Sequence, residues 1–317
     1  MSFLKYPLLC PVNTIQISVA ICSYNRARFI LQALDSLFSQ DFPIDAFEVI
    51  VVDNNSTDNT LEVLAEYQAQ HPSYPFRFVT EPTQGVAHTR NRGAKEARGA
   101  IIAYLDDDSI AQPGWLKTTV DFFASHPEVY STGGKITPYF LTEIPDWYSK
   151  YFFGLVGNFD QGPRIKQLTG QRYPCGANMA FRREVFDEIG YFNTDLGRSG
   201  KGLLANEEKD IYLRILAAGK KVYYLPEVQV LHAVESNKFD KNYVHRHSMG
   251  IGGGERLRLK GKSMALVVKG IEYVLKWGYA VVYGIGFLLK GQWSKFHMLE
   301  RFRWWVIEGF VFPDRAK

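Results

Sequence analysis

Short apolar runs that stop abruptly at polar or acidic residues recur through the first third of the chain. Ile17-Ser18-Val19-Ala20-Ile21-Cys22 runs into Ser23-Tyr24-Asn25-Arg26, and residues 47–52 run into Asp53-Asn54-Asn55-Ser56-Thr57-Asp58. Phe76-Arg77-Phe78-Val79 is shorter, and Ile101-Ile102-Ala103-Tyr104-Leu105 ends on Asp106-Asp107-Asp108. Runs of this length and composition suit strands buried on both faces, as in a parallel sheet. Between them, Ile30, Ala33, Leu34, Leu37 and Phe38 fall at helical spacing, as do Leu61, Leu64, Ala65 and Tyr67, and residues 85–98 also read as helix. Ser56 or Thr57 is placed to cap the second of these helices. Strand–helix alternation of this kind predicts a doubly wound, mostly parallel α/β sheet. The strands at Val19, Val51 and Leu105 then deliver their polar ends to one sheet edge, where such folds bind ligands.

That edge carries the chemistry. Three adjacent carboxylates repel one another and cannot share a dry core, so Asp106, Asp107 and Asp108 face water or a cation. Hard oxygen donors favour Mg²⁺ or Mn²⁺, which often grip substrate phosphates as well; the plainer reading is a solvated acidic loop. Asp53, at the end of a buried strand, can accept from a base N–H or a ribose hydroxyl, or start an Asx turn. Arg90 and Arg92 suit a diphosphate or helix-surface pairs with Glu96, the surface pair being favoured for Arg92.

The second half is less regular. Residues 129–134 read as a strand with Gly133-Gly134 allowing close approach, and 142–159 form an aromatic stretch (Trp147, Tyr148, Tyr151, Phe152, Phe153) that either stacks on sugar or forms a satellite cluster. Residues 195–202 make a basic, Gly-rich loop that either closes over a ligand or is solvated. Asn206-Glu207-Glu208-Lys209-Asp210 opens an amphipathic helix. Three acids there gain from the helix dipole, or one serves as a general base. Residues 228–232 read as a last strand ending in His232, with His245 and His247 as weaker candidate ligands.

Composition adds a polarity. The chain has 317 residues, 46% hydrophobic and 22% charged, with a formal net charge of +4. Residues 238–317 hold 15 Lys and Arg against 6 acids, so a mildly acidic body precedes a basic tail. Within that tail the uncharged stretch 277–289 is 13 residues long, short of the ~20 needed to span a bilayer. Its Trp and Lys/Arg mixture suits helices in a membrane interface, or else a helical cap or dimer interface. Cys10, Cys22 and Cys175 are scattered, which argues against a zinc site or disulfide framework and suits a reducing compartment. No signal peptide is evident, and no nucleic-acid-binding motif is present. The expectation is a cytoplasmic protein at the inner face of the cell membrane.

Taken together, Val19-Ala20-Ile21-Cys22-Ser23-Tyr24-Asn25-Arg26, Val51-Val52-Asp53-Asn54-Asn55-Ser56-Thr57-Asp58 and Leu105-Asp106-Asp107-Asp108 resemble the opening of family 2 glycosyltransferases. The resemblance covers roughly 17–232 and implies a GT-A fold and a metal-dependent, inverting enzyme. It implies a catalytic domain over 1–237, with a nucleotide half at about 17–110 and an acceptor half at about 111–237; residues 238–317 form an extension. Ser23, Asn25, Arg26, Asp53, Arg90 and Asn91 would hold the donor nucleotide. Asp106–Asp108 would be the D-x-D motif, with Asp108 the direct ligand beside Asp106, Asp107 nearer the ribose, and His232 completing the shell around Mn²⁺ or Mg²⁺. Gly176, Ala177 and Asn178 would lie beside the sugar, with Trp147 as a stacking candidate, and Arg198 and Lys201 would serve the diphosphate.

By the same resemblance the base is Glu208, supported by Glu207 and Asp210. Glu replaces the usual Asp there, leaving open which of Glu207 and Glu208 points inward. The implied partners are a nucleotide-diphosphate sugar and a glycan or lipid-linked acceptor, with a possible homo-oligomer. The rival readings are a sugar-phosphate nucleotidyltransferase and a non-catalytic, membrane-tethered glycan-binding protein. The first lacks its Gly-rich basic loop after the first strand, and the second has no need of a base.

Overall fold

A computed structural model describes residues 15–170, 172–200 and 202–316. The first half follows the apolar runs closely: β1 (Ile17–Ser23), α1 (Ile30–Phe38), β2 (Phe47–Asp53), α2 (Thr60–Gln70), β3 (Phe76–Thr80), α3 (Val86–Glu96) and β4 (Ile101–Asp106). Every residue of β2 is buried, as are the first five of β4. Strands covered on both faces by helices need no polar alternation. β3, β2, β1 and β4 lie side by side in parallel, and their register puts Ser23 opposite Asp53 and Cys22 opposite Asp106. Three polar strand ends therefore line up on one edge.

The second half departs from the pattern. β5 (Ser109–Ala111), α4 (Trp115–Ser125), β6 (Val129–Phe140), β7 (Lys166–Gln167), β8 (Asn178–Arg182), α5 (Glu184–Glu188), α6 (Glu207–Ala217) and β9 (Lys221–Val234) complete a nine-stranded sheet. β8 runs antiparallel between β4 and β6, and β9 is parallel to β6. The strands expected at 129–134 and 228–232 run on to Phe140 and back to Lys221, because each is the other's partner along almost its full length. β5 turns back immediately after the acidic triplet and pairs Ser109 with His232, while the Ala233 N–H donates to the Asp108 carbonyl at 2.9 Å. This short antiparallel pairing carries His232 to the triplet.

Local chemistry differs in one cap. α2 begins at Thr60, and it is the Asp58 carboxylate that accepts from the Thr60 N–H at 3.0 Å. Ser56 instead accepts from the Asn25 N–H through its hydroxyl.

Three helices follow: α7 (Lys241–Arg258), α8 (Ser263–Leu288) and α9 (Trp293–Val311). α7 is capped by Asp240, whose side chain accepts from the Asn242 and Tyr243 N–H groups. Its glycines let backbone meet backbone. A Cβ at Gly250 or Gly254 would collide with the carbonyls of Leu203 or Ala205, and one at Gly252 with that of Val306 in α9. Across the contact with the α/β body, Lys209 donates to buried Glu255 at 2.9 Å. No helix among the described residues is long and apolar enough to cross a membrane.

Candidate active site

One cleft of about 710 Å³ runs along the polar sheet edge, within the ~300–1,000 Å³ usual for small-molecule sites. On one side lie Asp106, Asp108 and His232, whose ligand atoms all fall within 4.8 Å of one another. His232 Nδ1 lies 3.1 Å from the Val156 carbonyl. A neutral ring that donates from Nδ1 to this carbonyl would turn its Nε2 lone pair to the cleft, as metal ligation requires. His232 Nε2 lies 3.3 Å from an Asp108 oxygen. Burial works against the charge on Asp108, yet His232, Lys238 and Arg26 hold its carboxyl well below the ordinary range. Asp107 is pushed upward by burial and by Asp108, with Arg26, 3.6 Å away, opposing. Two carboxylates and an imidazole with an outward lone pair fit Mn²⁺ or Mg²⁺ with remaining positions for substrate and water.

Facing them is α6. Asn206, the residue before it, adopts φ 83 and anchors its side chain to the Ile251 carbonyl at 3.0 Å. A left-handed asparagine is a sparsely populated conformation, held here by α7. It aims both following acids at Arg90, which donates to Glu207 at 2.7 Å and to Glu208 at 2.9 Å. The Gly176 N–H adds a bond to the same Glu208 oxygen at 2.8 Å. Glu207 is more deeply set, its side chain 8% exposed against 22% for Glu208. Glu208 thus has one oxygen clamped and the other on the cleft side. Burial pushes its pKa up to about 7; Arg90 pulls the other way, and the negative charges of Glu207 and Asp106 add to the rise.

A third group is cationic. Arg198 and Lys238 both donate to the Tyr243 hydroxyl, at 3.2 and 3.3 Å. Burial would raise the Tyr243 pKa, but these two cations bring it below the ordinary value. Neither cation has a carboxylate within ion-pair distance among the described residues, so both stand ready for an anion. The loop carrying Arg198 is seated rather than free: the Val86 N–H donates to the Arg198 carbonyl and Ser199 Oγ donates to the Gln84 carbonyl, both at 2.8 Å.

Comparison with known proteins agrees with this architecture. A profile described as Glycosyl transferase family 2 matches residues 18–190, more than half of the chain. The chain belongs to glycosyl transferase family 2. Among curated relatives, a glucosyl-dolichyl phosphate glucuronosyltransferase of Haloferax volcanii is 26% identical over 248 residues, covering 76% of this chain and 77% of the relative. The glycosyltransferase AglE of the same organism is 33% identical over 193 residues, 58% of each chain. The mannosyltransferase PcManGT from Pyrobaculum calidifontis, solved with GDP-Man and Mn²⁺, superposes over 95% of this chain and 87% of its own at 20% identity, TM-score 0.63. The fold is that of GT-A glycosyltransferases.

The glycosyltransferase cleft gathers most of the residues expected from the sequence: Ser23, Arg26, Arg90, Asp106, Asp107, Asp108, Gly176, Ala177, Arg198, Glu207, Glu208 and His232 line it. Others serve elsewhere. Asn91 bonds the Phe192 backbone in both directions at 2.9 Å. Asn178 accepts from Trp115 and donates to the Lys135 and Val228 carbonyls, so it ties strands together instead of meeting sugar. Asp210 turns away to pair with Arg214 at 2.9 Å, the geometry of a helix-surface pair. Trp147 is buried against Phe152 in the satellite cluster with Val244, Ala280 and Met298; of the 142–159 stretch, Tyr151 and Phe152 are the aromatics that reach the cleft.

Arg92 makes the surface pair with Glu96. Arg90 is committed to Glu207 and Glu208 rather than to an open phosphate site. Asn25, at φ 55, accepts from the Thr57 N–H at 2.7 Å and shapes the turn. Asp53 accepts from the Ser56 N–H at 3.0 Å as an Asx turn requires, yet its other oxygen is buried without a partner, as is Ser23 Oγ. Lys201 and Cys10 lie outside the described residues. His245 packs on Trp305. His247 reaches the cleft, held neutral by burial and by Arg198 and Lys238 at a pKa of about 3. Lys238 and Tyr243 are the contributions that the sequence does not announce, and His247 stands there only as a weaker candidate: all three come from beyond residue 237 and carry no motif of their own.

Proposed function

We propose that this protein is an inverting, divalent-metal-assisted glycosyltransferase that moves a sugar from a nucleoside-diphosphate donor to a glycan or lipid-linked acceptor. The observation that carries the reading is the facing pair in one cleft: Asp106, Asp108 and His232 on one wall, and a half-clamped Glu208 on the other. Support for the donor class comes from the solved neighbours, one with GDP-Man and Mn²⁺ and the TarS fragment with UDP-GlcNAc. Support for a lipid-linked acceptor comes from relatives named as acting on dolichyl phosphate sugars.

The residues divide the work. Ser23, which lines the cleft, and Asp53 beside it in register, with one buried oxygen unpartnered, recognise the donor's base or ribose. Arg198 and Lys238 take the diphosphate and balance its charge as the leaving group departs. Asp106, Asp108 and His232 hold the metal, which when bound supplies further neutralisation of that anion. Glu208 accepts the proton of the attacking acceptor hydroxyl on its cleft-facing oxygen, and Arg90 and the Gly176 N–H keep the carboxylate aimed. The half-buried thiols of Cys22 and Cys175 are pushed strongly upward by desolvation and offer no nucleophile. One displacement by the acceptor gives inversion.

The test is a nucleotide titration followed by melting temperature, using UDP, GDP and dTDP with and without Mn²⁺, since a ligand bound only by the native state raises Tm. Metal-dependent stabilisation by one diphosphate, lost in Asp108→Ala and kept in Glu208→Gln, is expected. Transfer from the matching sugar donor should yield the inverted anomer by NMR. A retained anomer, or transfer undiminished in Glu208→Gln, removes the mechanism.

A further inference from the structure

α8 has a continuous apolar face turned to solvent. Met264, Val267, Val268, Ile271, Val274, Leu275, Tyr279, Val282 and Ile285 are all exposed, most by more than half, and Leu289 just past the helix end is 84% exposed. They recur at steps of three and four, so they share one side of a helix that is about 39 Å long at 1.5 Å per residue. A stripe this long is far larger than a soluble monomer ordinarily leaves bare. The opposite side of α8 is satisfied: Tyr273, Ala280 and Gly284 pack inward, against α9 and the satellite cluster.

Charge decides what covers it. Residues 256–304 carry ten Lys and Arg against only Glu272 and Glu300. Arg256, Lys260 and Lys262 are exposed before the N-terminus of α8, and Lys290 is exposed after its C-terminus. Glu272, the one acid on α8, is occupied by Lys269 and Lys276. A second copy laid on this face would set Lys290 against the basic N-terminal cluster if antiparallel, or the cluster against itself if parallel. Both pairings are repulsive. An anionic bilayer accepts the apolar stripe and attracts both ends at ~1 kcal/mol per basic residue near the surface. Exposed Trp293 and Trp304 suit the interfacial level, and the helix fails the requirement for a span.

The cleft ends at the same place. Its far wall is made by Lys269, Tyr273 and Lys276 of α8 and by Phe302, Arg303 and Val306 of α9. Lys276 also borders the shallow apolar groove on the outer face, with Val268, Ile271, Leu275 and Tyr279. Arg303 has no acid within ion-pair distance among the described residues and rests on the Tyr151 ring and hydroxyl. We propose that α8 lies along the headgroup–acyl boundary of an anionic membrane, so that the Lys276–Arg303 end of the cleft receives the phosphate of a lipid-linked acceptor whose chain stays in the bilayer. This deepens the transferase reading and rests on it for the acceptor, whereas membrane docking stands independently.

Flotation with phosphatidylcholine vesicles, with and without 30% phosphatidylglycerol, at ~150 mM salt tests the docking. The full chain should float with anionic vesicles only, and Val268→Asp/Leu275→Asp/Val282→Asp should cut the bound fraction at least tenfold while melting at the wild-type temperature. Lys276→Ala/Arg303→Ala should still float but raise KM at least tenfold for a polyprenyl-phosphate-linked sugar acceptor, and leave KM for a lipid-free glycan acceptor unchanged. Equal flotation of wild type and the triple-Asp variant overturns the proposal. So does a dimer by light scattering that the triple-Asp substitution dissociates, or equal KM increases for both acceptors. Absence of transfer from any donor, with flotation intact, removes the transferase reading and leaves the docking surface standing.

Discussion

Replacing Glu208 by Gln separates a catalytic carboxylate from a structural one through stability as well as rate. In the folded protein burial lifts this group from an ordinary 4.5 to about 7. A raised carboxylate pKa means the fold favours the protonated form, so the stability associated with Glu208 is fully present below pH ~4.5 and is lost as pH rises through 7. At ~1.4 kcal/mol per unit, the ionised group costs the fold up to about 3 kcal/mol. The partial exposure of its side chain, 22%, and the loss of one charge partner for Arg90 lower the expected gain in the neutral variant to about 1–3 kcal/mol. With an unfolding entropy of ~2.1 cal/mol/K per residue, this chain shifts by about 1.5 °C per kcal/mol. Glu208→Gln should therefore melt ~2–4 °C above wild type at pH 8 and within 1 °C of it at pH 5. In the same variant transfer should fall by ~10²–10⁴-fold. Wild-type kcat/KM should rise with unit slope and level off above pH ~7. A variant that melts below wild type at pH 8 would show that Glu208 is held chiefly as an ion-pair partner, and would refute this reasoning.

Other perturbations test the frame around that carboxylate. Arg90→Ala leaves Glu207 and Glu208 buried beside each other without their shared cation; a loss of about 3–5 kcal/mol is expected, with the activity profile displaced to higher pH, both measurable by melting and pH–rate curves. Gly176→Ala places a Cβ against the Arg90 guanidinium and the Glu208 oxygen, so kcat should drop at least 100-fold with the nucleotide-induced Tm shift retained. Gly254→Ala should gain ~1 kcal/mol of helix propensity but force the Ala205 carbonyl away, giving a net loss in Tm and a lower kcat. A rise in Tm would show that this close approach is unimportant.

The sequence was legible where one strand end carries one kind of chemistry. Asp53 and Asp106 follow uninterrupted buried strands, and parallel register alone brings them to one edge. Glu207 and Glu208 were legible as acids opening a helix, but which of them keeps an oxygen free toward the cleft was not. It depends on Gly176, over thirty residues away in sequence, donating to one oxygen of Glu208. Asn91 and Asn178 illustrate the opposite error: a polar side chain next to a functional motif is as easily spent on bonding two loops or strands together, and only the partners distinguish these uses. The antiparallel β8 was equally hidden, since a five-residue strand has no direction in its composition.

The boundary near residue 237 exposes a deeper limit of periodicity. Hydrophobic pattern separates an α/β body from a helical tail, yet function joins them through residues with no pattern. Lys238 and Tyr243 place cationic and phenolic groups beside Arg198 at the cleft. Gly250 and Gly254 bring α7 against the carbonyls of residues 203–205, immediately before the left-handed Asn206 that starts α6. Gly252 and Gly309 bring α7 against α9, and α9 in turn packs on α8. The helix with the exposed apolar face is thus linked to α6 through three contacts, α8 on α9, α9 on α7, and α7 on residues 203–205, and glycines set the closest approach in the last two. Close backbone contacts transmit position with little slack, because packed interiors have few voids to absorb a shift. Under the docking proposed above, the surface beneath α8 would therefore also set the height of Glu208 above it. This gives the small residues in α7 a reason to persist in a helix whose stability they lower by ~1 kcal/mol each.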